Sequence, residues 1–284
     1  MAEDRDFAAA ADAVLNAYSS GDYEECLRLA LAARDRFPGH HARTTYWVAC
    51  MRSLTGEPDE AVAELREGLD RGDWWSEEWL RTDPDLEAAR KQSTFDEVAR
   101  RSGAAFDDQE KAAGRPPIVE RSVGRPSSVL VALHGAGGTA DETAPMWRSC
   151  RSSGSMVLVP QSPYRATPDD ERGWSWPSID ASALFIAGSV RDAADAVDGS
   201  LPRVIGGFSQ GGRVAARLAI SASPWQWHGA ILFGPVPVDA AGIEMLRPEE
   251  RPRFWVFVGE DDHAFSTVPT DSSTTCMQQA LMRS

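Results

Sequence analysis

Lysine, cysteine and long apolar runs are all scarce in this sequence, and each shortage narrows what the chain can do. Lys91 and Lys111 are its two lysines, and acidic residues outnumber basic ones by 43 to 29. The resulting net charge of −14 disfavours binding to nucleic acid or to an anionic membrane surface. Most of this charge lies in residues 1–100, which hold 22 acidic and 12 basic side chains.

The four cysteines show neither close pairing nor the spacing of a metal site. Cys26 and Cys50 fall on helical patterns, where we expect them to be small core residues. No signal-peptide core follows the acidic start of the chain, and no run reaches the roughly 18 apolar residues of a membrane helix. We therefore expect a cytoplasmic protein with no membrane span and no metal.

Helical periodicity extends from Phe7 to about Trp75, and a turn pattern recurs within it. The segment Gly21–Leu27 aligns with Gly56–Val62, 35 residues later, and acidic residues begin the second helix of each copy. This pattern resembles a pair of tetratricopeptide repeats, which implies a surface for a protein or peptide partner. A generic stack of helical hairpins is the alternative.

The pattern of breaks along the chain predicts two domains and a linker. Residues 1–101 are expected to form an all-α domain. Ser102-Gly103 and Pro116-Pro117 interrupt the helical periodicity, so residues 102–117 are interpreted as the linker. Residues 118–284 then form the second domain.

Short apolar runs alternate with helical patterns in the second domain. Such alternation predicts a parallel, doubly wound α/β sheet. The clearest strand-like runs, in chain order, are residues 128–133, 156–160, 204–208, 230–233 and 254–258.

A Gly-x-Ser-x-Gly pattern, Gly207 to Gly211, joins one of these runs to a helical segment. A strand, a sharp turn and a helix are the context in which this pattern forms a nucleophile elbow. Ser209 would then project from the carboxyl edge of the sheet at a helix N-terminus, where developing negative charge is favoured. The alternative is an ordinary serine in a turn of small residues.

Further motifs occur in an order that resembles an α/β-hydrolase of the phospholipase/carboxylesterase (acyl-protein thioesterase-like) family. The resemblance covers roughly residues 118–265. It is carried by five segments: His134–Gly138, Val159–Pro163, Gly173–Trp176, Gly206–Gly212 and Val258–Asp262.

The resemblance implies a role for each matching residue. Ser209 matches the nucleophile, and Asp262 matches the acid that orients a histidine. The main-chain N–H groups of Ala136 and Gln210 match the donors of an oxyanion hole. The family implies no cofactor.

The resemblance also assigns supporting residues around this site. Trp174 and Trp176 would line an apolar substrate pocket, or else belong to the core. His134 would support its loop without acting as the base.

The histidine that should act as base does not occur where the family has it. His263 is the histidine that follows Asp262, and it is adjacent to the acid instead of one helix and one strand further on. The tail after it is rich in Ser and Thr, so the last helix–strand unit of the sheet is expected to be missing. His228 precedes a strand and should therefore lie at the opposite edge from Ser209.

These patterns predict a serine hydrolase that cleaves a small acyl ester or thioester through Ser209, with His263 as the one candidate base. Without a well-placed base the hydroxyl is a weak nucleophile, so we expect slow hydrolysis or none. The alternative is a silent or truncated hydrolase that acts as a protein-binding scaffold through its helical repeats.

Overall fold

A computed structural model describes residues 2–109, 115–169, 173–176, 178–195, 200–221, 225–234 and 240–257. The chain divides into two compact units. The helical unit comprises Met1–Lys111 and Tyr164–Gly173, and the sheet unit comprises Ala112–Pro163 and Trp174–Ser284. No helix in these described ranges is long and apolar enough to cross a membrane.

The helical unit is built from successive helices that pack on their neighbours. Helix α1 packs on α2, α2 on α3, and α3 on α4. Its N-terminal region is helical as predicted, and the resemblance to tetratricopeptide repeats stays a prediction. The helices are α1 (Ala2–Ser19), α2 (Tyr23–Arg36), α3 (His41–Leu54), α4 (Pro58–Arg71), α5 (Glu77–Thr82) and α6 (Phe95–Asp108), with 3₁₀ turns at Pro38–His40, Pro84–Leu86 and Ala89–Lys91.

The recurring turn pattern has a backbone cause. Gly21 and Gly56, which follow α1 and α3, have φ angles of 76° and 89°, a left-handed conformation that favours glycine. Asp22 then caps α2 by accepting a hydrogen bond from the N–H of Glu25 (3.1 Å), whereas α4 begins with Pro58 in its first turn.

Half-buried tyrosine–carboxylate pairs tie α1 and α3 to Asp83 and Asp85, at the start of the Pro84–Leu86 turn. The Tyr18 hydroxyl of α1 donates to Asp85 (3.0 Å), and the Tyr46 hydroxyl of α3 donates to Asp83 (2.7 Å). Burial, together with the neighbouring Asp83 carboxylate, raises the pKa of Asp85 to about 7. Cys50 is buried nearby, as expected of a small core residue.

Helix α6 runs to Asp108, well into the stretch predicted as a linker from residue 102. Ser102 is fully buried, and its hydroxyl accepts from the N–H of Trp75 (2.6 Å) and donates to the Trp75 carbonyl (2.7 Å). A Cβ added to Gly103 would lie 2.6 Å from the Cβ of Glu77. Ser102 and Gly103 are therefore small because Trp75 and Glu77 approach α6 closely, and they do not end the helix.

The sheet unit contains a six-stranded sheet in the order β1-β3-β2-β6-β7-β8. Strand β1 is antiparallel to β3, and the other neighbouring pairs are parallel. The predicted, mostly parallel α/β sheet is confirmed. The chain's strands are β1 (Ile118–Glu120), β2 (Ser128–Leu133), β3 (Ser155–Val159), β4 (Tyr164–Arg165), β5 (Trp174–Ser175), β6 (Arg203–Phe208), β7 (Gly229–Phe233) and β8 (Arg253–Phe257).

Helices cover both faces of this sheet, which explains why its strands are apolar throughout. Val131 and Leu133 of β2 belong to a core cluster that includes residues of α8 and α9, whereas Leu130 belongs to a cluster with Trp147 of α7. The helices of this unit are α7 (Ala140–Trp147), α8 (Ile179–Asp195), α9 (Gln210–Ile220) and α10 (Ala240–Met245), with 3₁₀ turns at Arg148–Arg151 and Pro248–Glu250.

Candidate active site

Ser209 occupies a strained turn between β6 and α9. Its backbone angles are φ 51° and ψ −118°, and it is the single non-glycine residue with positive φ in the described part of the chain. Such a conformation costs about 1–3 kcal/mol and persists where the surrounding structure enforces it. The Ser209 N–H donates to the Phe233 carbonyl (2.9 Å), and its own carbonyl accepts from the N–H of Arg213 (3.0 Å). Ser209 is also solvent-exposed.

Two glycines make this turn sterically feasible. A Cβ on Gly207 would lie 2.5 Å from the carbonyl carbon of Gly211. A Cβ on Gly211 would collide with the carbonyl oxygen of His134. The Gly-x-Ser-x-Gly spacing is therefore explained by close backbone approaches on both sides of Ser209.

The turn after β2 is held by a buried neutral histidine. The His134 Nδ1–H donates to the Gly135 carbonyl (2.8 Å), while Nε2 lies 3.2 Å from two donors, the N–H of Ser162 and the Nε2 of Gln161. Nε2 therefore accepts and Nδ1 carries the proton. Burial lowers the pKa of His134 to about 4, so the ring stays neutral near pH 7. These contacts agree with a supporting role for His134.

Two N–H groups of this turn already have acceptors. Gly138 donates to the Gly135 carbonyl (3.1 Å), and Gly137 donates to the Trp174 carbonyl (2.9 Å). By contrast, the N–H groups of Ala136 and Gln210 have no acceptor among the residues that the structure describes. Both donors are thus available to a bound oxygen atom.

The two free donors follow neighbouring strands. Leu133, at the end of β2, pairs with Gly207 near the end of β6, so both turns emerge from one edge of the sheet. Gln210 also begins α9, where the helix dipole adds partial positive charge. A trans peptide places the Ala136 N–H opposite the Gly135 carbonyl, and that carbonyl is fixed by His134. The edge therefore carries two fixed donors suited to an oxyanion.

Trp176 lies in the core, and its side chain supports the site from behind. Its side chain is 1% exposed, its ring stacks on His134 with centroids 4.7 Å apart, and its Nε1 donates to the His134 carbonyl (2.8 Å). These contacts fit the alternative interpretation, in which Trp176 is a core residue. They do not fit a role for Trp176 in the wall of a substrate pocket. Trp174 is half-buried and contacts the turn through its main chain, pairing with Gly138.

The Gln210 side chain binds the same segment, a contact that the sequence did not indicate. Its Oε1 accepts from the N–H of Trp176 (3.0 Å), and its Nε2 donates to the Trp176 carbonyl (3.2 Å) and to the Ser175 hydroxyl (2.9 Å). We refer to residues 174–176 as the clamp. The clamp bonds to the turn that carries Ala136 and to the side chain of Gln210, so it holds both free donors in place.

A cleft of about 260 Å³ opens beside Ser209. Two apolar side chains that line the cleft are exposed to solvent: Met146 of α7 is 61% exposed and Phe208 is 52% exposed. Glu142 is its charged lining residue. The cleft is lined by Gly135, Ala136, Gly137, Gly138, Glu142, Thr143, Met146, Trp147, Phe208 and Ser209.

The predicted acid and base, Asp262 and His263, lie outside the described residues. His228 accepts through Nδ1 from the N–H of Arg203 (3.1 Å), the first residue of β6. Ser209 follows the last residue of that strand, so His228 lies at the opposite edge of the sheet, as predicted. His40 and His41 belong to the helical unit.

Potential metal-ligand atoms cluster in the helical unit. Those of Cys50, Asp83 and Asp85 lie within 4.8 Å of one another. The hydroxyls of Tyr46 and Tyr18 already bond one oxygen of each carboxylate. Tyrosine–carboxylate pairing therefore accounts for this cluster.

Comparison with known protein families finds a match that lies in the helical unit. Residues 8–109 match the family model described as "A/B hydrolase-like, N-terminal domain". None of the curated proteins is similar enough in sequence to match the chain.

Solved structures resemble the chain at low identity. An uncharacterized protein from Bacillus cereus ATCC 10987 is 19% identical, with 96% of this chain and 85% of that one covered and a TM-score of 0.41. A phospholipase/carboxylesterase from Dyadobacter fermentans DSM 18053 is 20% identical, with 53% and 73% covered and a TM-score of 0.34. Esterase PE8 is 17% identical, with 51% and 89% covered and a TM-score of 0.35.

The fold class follows from the sheet itself, and the family match over residues 8–109 agrees with it. A mostly parallel sheet, covered by helices on both faces and carrying a strained serine between strand and helix, is the architecture of an α/β-hydrolase. The match over residues 8–109 names the same class. The chain thus has an α/β-hydrolase fold, and its residues 8–109 are similar to the N-terminal domain of α/β-hydrolase-like proteins.

Proposed function

We propose that the chain is a serine hydrolase of the carboxylesterase or thioesterase type. The observation that carries this proposal is Ser209, exposed and strained beside the free N–H groups of Ala136 and Gln210. A strained, accessible nucleophile with preorganised donors next to it is what acyl transfer requires.

The reaction has two stages. The Ser209 hydroxyl attacks the carbonyl carbon of an ester or thioester, and a general base takes the hydroxyl proton. The carbonyl oxygen becomes an oxyanion that Ala136 and Gln210 stabilise. The oxyanion collapses, the carbon–leaving-group bond breaks, and the alcohol or thiol leaves with that proton. Water then attacks the acyl-enzyme in the same way and releases the acid.

The general base is proposed from the sequence alone. His263, oriented by Asp262, is the candidate that the family resemblance leaves for this role. Trp174 stays a candidate for substrate contact, since it is half-buried beside the turn that carries Ala136.

Covalent labelling tests the nucleophile directly. A fluorophosphonate probe should modify Ser209 in the wild-type protein, as located by peptide mass spectrometry, and p-nitrophenyl butyrate should be turned over slowly, because the base histidine is not where the family has it. Ser209→Ala should abolish both signals. The matched control is Ser221→Ala, which removes a serine at the far end of α9 whose hydroxyl donates to the Leu218 carbonyl (3.2 Å).

His263→Ala separates the remaining cases. Turnover lost with this variant, with its fold intact by circular dichroism, assigns the base to His263. Turnover retained assigns it to another group. A wild-type protein whose Ser209 is neither labelled nor active with esters would refute the hydrolase and favour the scaffold.

A further inference from the structure

We propose that Glu142 makes the cleft selective against acyl groups that end in a carboxylate, so that short, uncharged acyl esters or thioesters are the preferred substrates. This inference rests on the proposed function, because it concerns the same cleft beside Ser209. It adds a residue that determines specificity without taking part in the chemistry.

The walls of the cleft favour an apolar acyl chain. Met146 and Phe208 present exposed side chains, and the buried Trp147 lines the cleft and also packs in the sheet core. Each methylene removed from water contributes about a fourfold gain in binding. The small volume, about 260 Å³, sets an upper limit on the length of the chain that gains from this contact.

Glu142 is held in the cleft wall by the first turn of α7. Its Oε2 accepts from the N–H (3.0 Å) and the hydroxyl (2.9 Å) of Thr139, and its own N–H donates back to that hydroxyl (3.1 Å). This reciprocal arrangement is a capping box, which fixes the glutamate in one orientation. The carboxylate of this exposed, cleft-lining residue is therefore held beside Thr139.

The charge of Glu142 is not neutralised by a cation in the described part of the chain. The neighbouring Asp141, in contrast, pairs with Arg115 at 2.9 Å. No basic side chain is among the residues that line the cleft. A second carboxylate within several ångströms would meet an uncompensated like charge, a penalty of about tenfold in rate at a protein surface.

Two esters with four-carbon acyl groups isolate this effect. The ratio of kcat/KM for mono-p-nitrophenyl succinate to that for p-nitrophenyl butyrate should be low in the wild-type protein. Glu142→Gln should raise this ratio about tenfold, and it preserves the capping box because glutamine also serves at this position. Asp141→Asn removes the same charge one residue away, and its ratio should stay within twofold of wild type.

A second pair of variants tests the apolar residues that line the cleft. Met146→Ala should lower the butyrate-to-acetate ratio of kcat/KM several-fold, because methylene contacts are lost. Met245→Ala removes a methionine of α10 that is 88% exposed, and it should not change the ratio.

The outcomes separate this inference from the hydrolase itself. Labelling of Ser209 with an unchanged succinate-to-butyrate ratio in Glu142→Gln refutes the selectivity and leaves the hydrolase standing. Equal increases in Glu142→Gln and Asp141→Asn would show a general charge effect and also refute it. No turnover and no labelling in the wild-type protein would refute both proposals.

Discussion

The two units of this chain use polar groups in opposite ways. In the helical unit, Tyr18, Tyr46 and Ser102 donate their hydroxyl protons to partners within the same unit. In the sheet unit, the N–H groups of Ala136 and Gln210 have no acceptor among the described residues, beside a serine with a strained backbone. Satisfied groups stabilise a fold, whereas free donors and strain are available for chemistry.

The same contrast applies to buried titratable groups. In the helical unit, burial raises the pKa of Asp85 from 3.8 to about 7, so the folded state holds a proton that the unfolded state releases. In the sheet unit, burial lowers the pKa of His134 from 6.5 to about 4, so the folded state excludes a proton. The stability of the two units should therefore respond to pH with opposite signs.

The largest expected effect is on the stability of the sheet unit, where a glycine permits the strained turn at Ser209. Gly211→Ala drives a Cβ into the backbone of His134, which cannot move without disturbing β2. We expect a loss of about 3 kcal/mol in the free energy of unfolding, measured by urea denaturation. Gly188→Ala, in α8, adds a Cβ with nothing within 4 Å and should be neutral or stabilising by up to about 1 kcal/mol. Equal stability of the two variants would contradict the steric explanation.

A smaller effect is expected where stability and activity are separable. Gln210→Ala removes the bonds to the clamp but keeps the main-chain N–H that the site uses. We expect kcat for p-nitrophenyl butyrate to fall about 10- to 100-fold with little change in KM, because a donor misplaced by an ångström is ineffective in the transition state. Ser175→Ala removes the two bonds between its hydroxyl and Gln210 but leaves those to Trp176, so its kcat should lie between those of the wild type and Gln210→Ala. An unchanged kcat in Gln210→Ala would mean that the clamp does not position the donors.

The sheet and its elbow could be predicted because their signals are local. Apolar runs define β2, β3, β6 and β7, and the glycines around Ser209 follow from backbone contacts within a few residues. Helix α7 gave no comparable signal, since it carries Pro145 in its interior. Its contribution to the cleft, including Glu142, was therefore not expected.

Other features depend on contacts between distant parts of the chain. The Gln210 side chain bonds Trp176, which is 34 residues away in sequence. Ser102 and Gly103 have the composition of a helix break, but the approach of Trp75 and Glu77 is what requires their small size. The sequence alone does not distinguish a small residue that ends a helix from one that allows another segment to approach closely.

The smallest expected effect is the change in the stability of each unit with pH. Between pH 4 and 7 the folded helical unit binds more protons than its unfolded state through Asp85, so its free energy of unfolding should fall as pH rises. The full shift from 3.8 to about 7 corresponds to a fall of about 2 kcal/mol between pH 5 and 7, and we expect about half of it because Asp85 is partly solvated. Asp85→Asn should remove it.

Peptide-level hydrogen exchange can follow each unit separately, after correction for intrinsic exchange rates. Peptides from α1 and α3 should lose protection as pH rises from 5 to 7. Peptides from β2 should gain protection over the range from about 4 to 6.5, where unfolded His134 takes up a proton and folded His134 does not. The same direction of change in both units would contradict the contrast.

The left-handed backbone of Ser209 has a consequence for engineering the protein. Glycine adopts such angles freely, so a search for heat-resistant variants would tend to select Ser209→Gly, which relieves the strain and discards the hydroxyl. At position 209, glycine would relieve the backbone strain, whereas serine keeps the strain together with the nucleophile. A thermostabilised version should therefore be sought at sites such as Gly188, with residues 207–211 held constant.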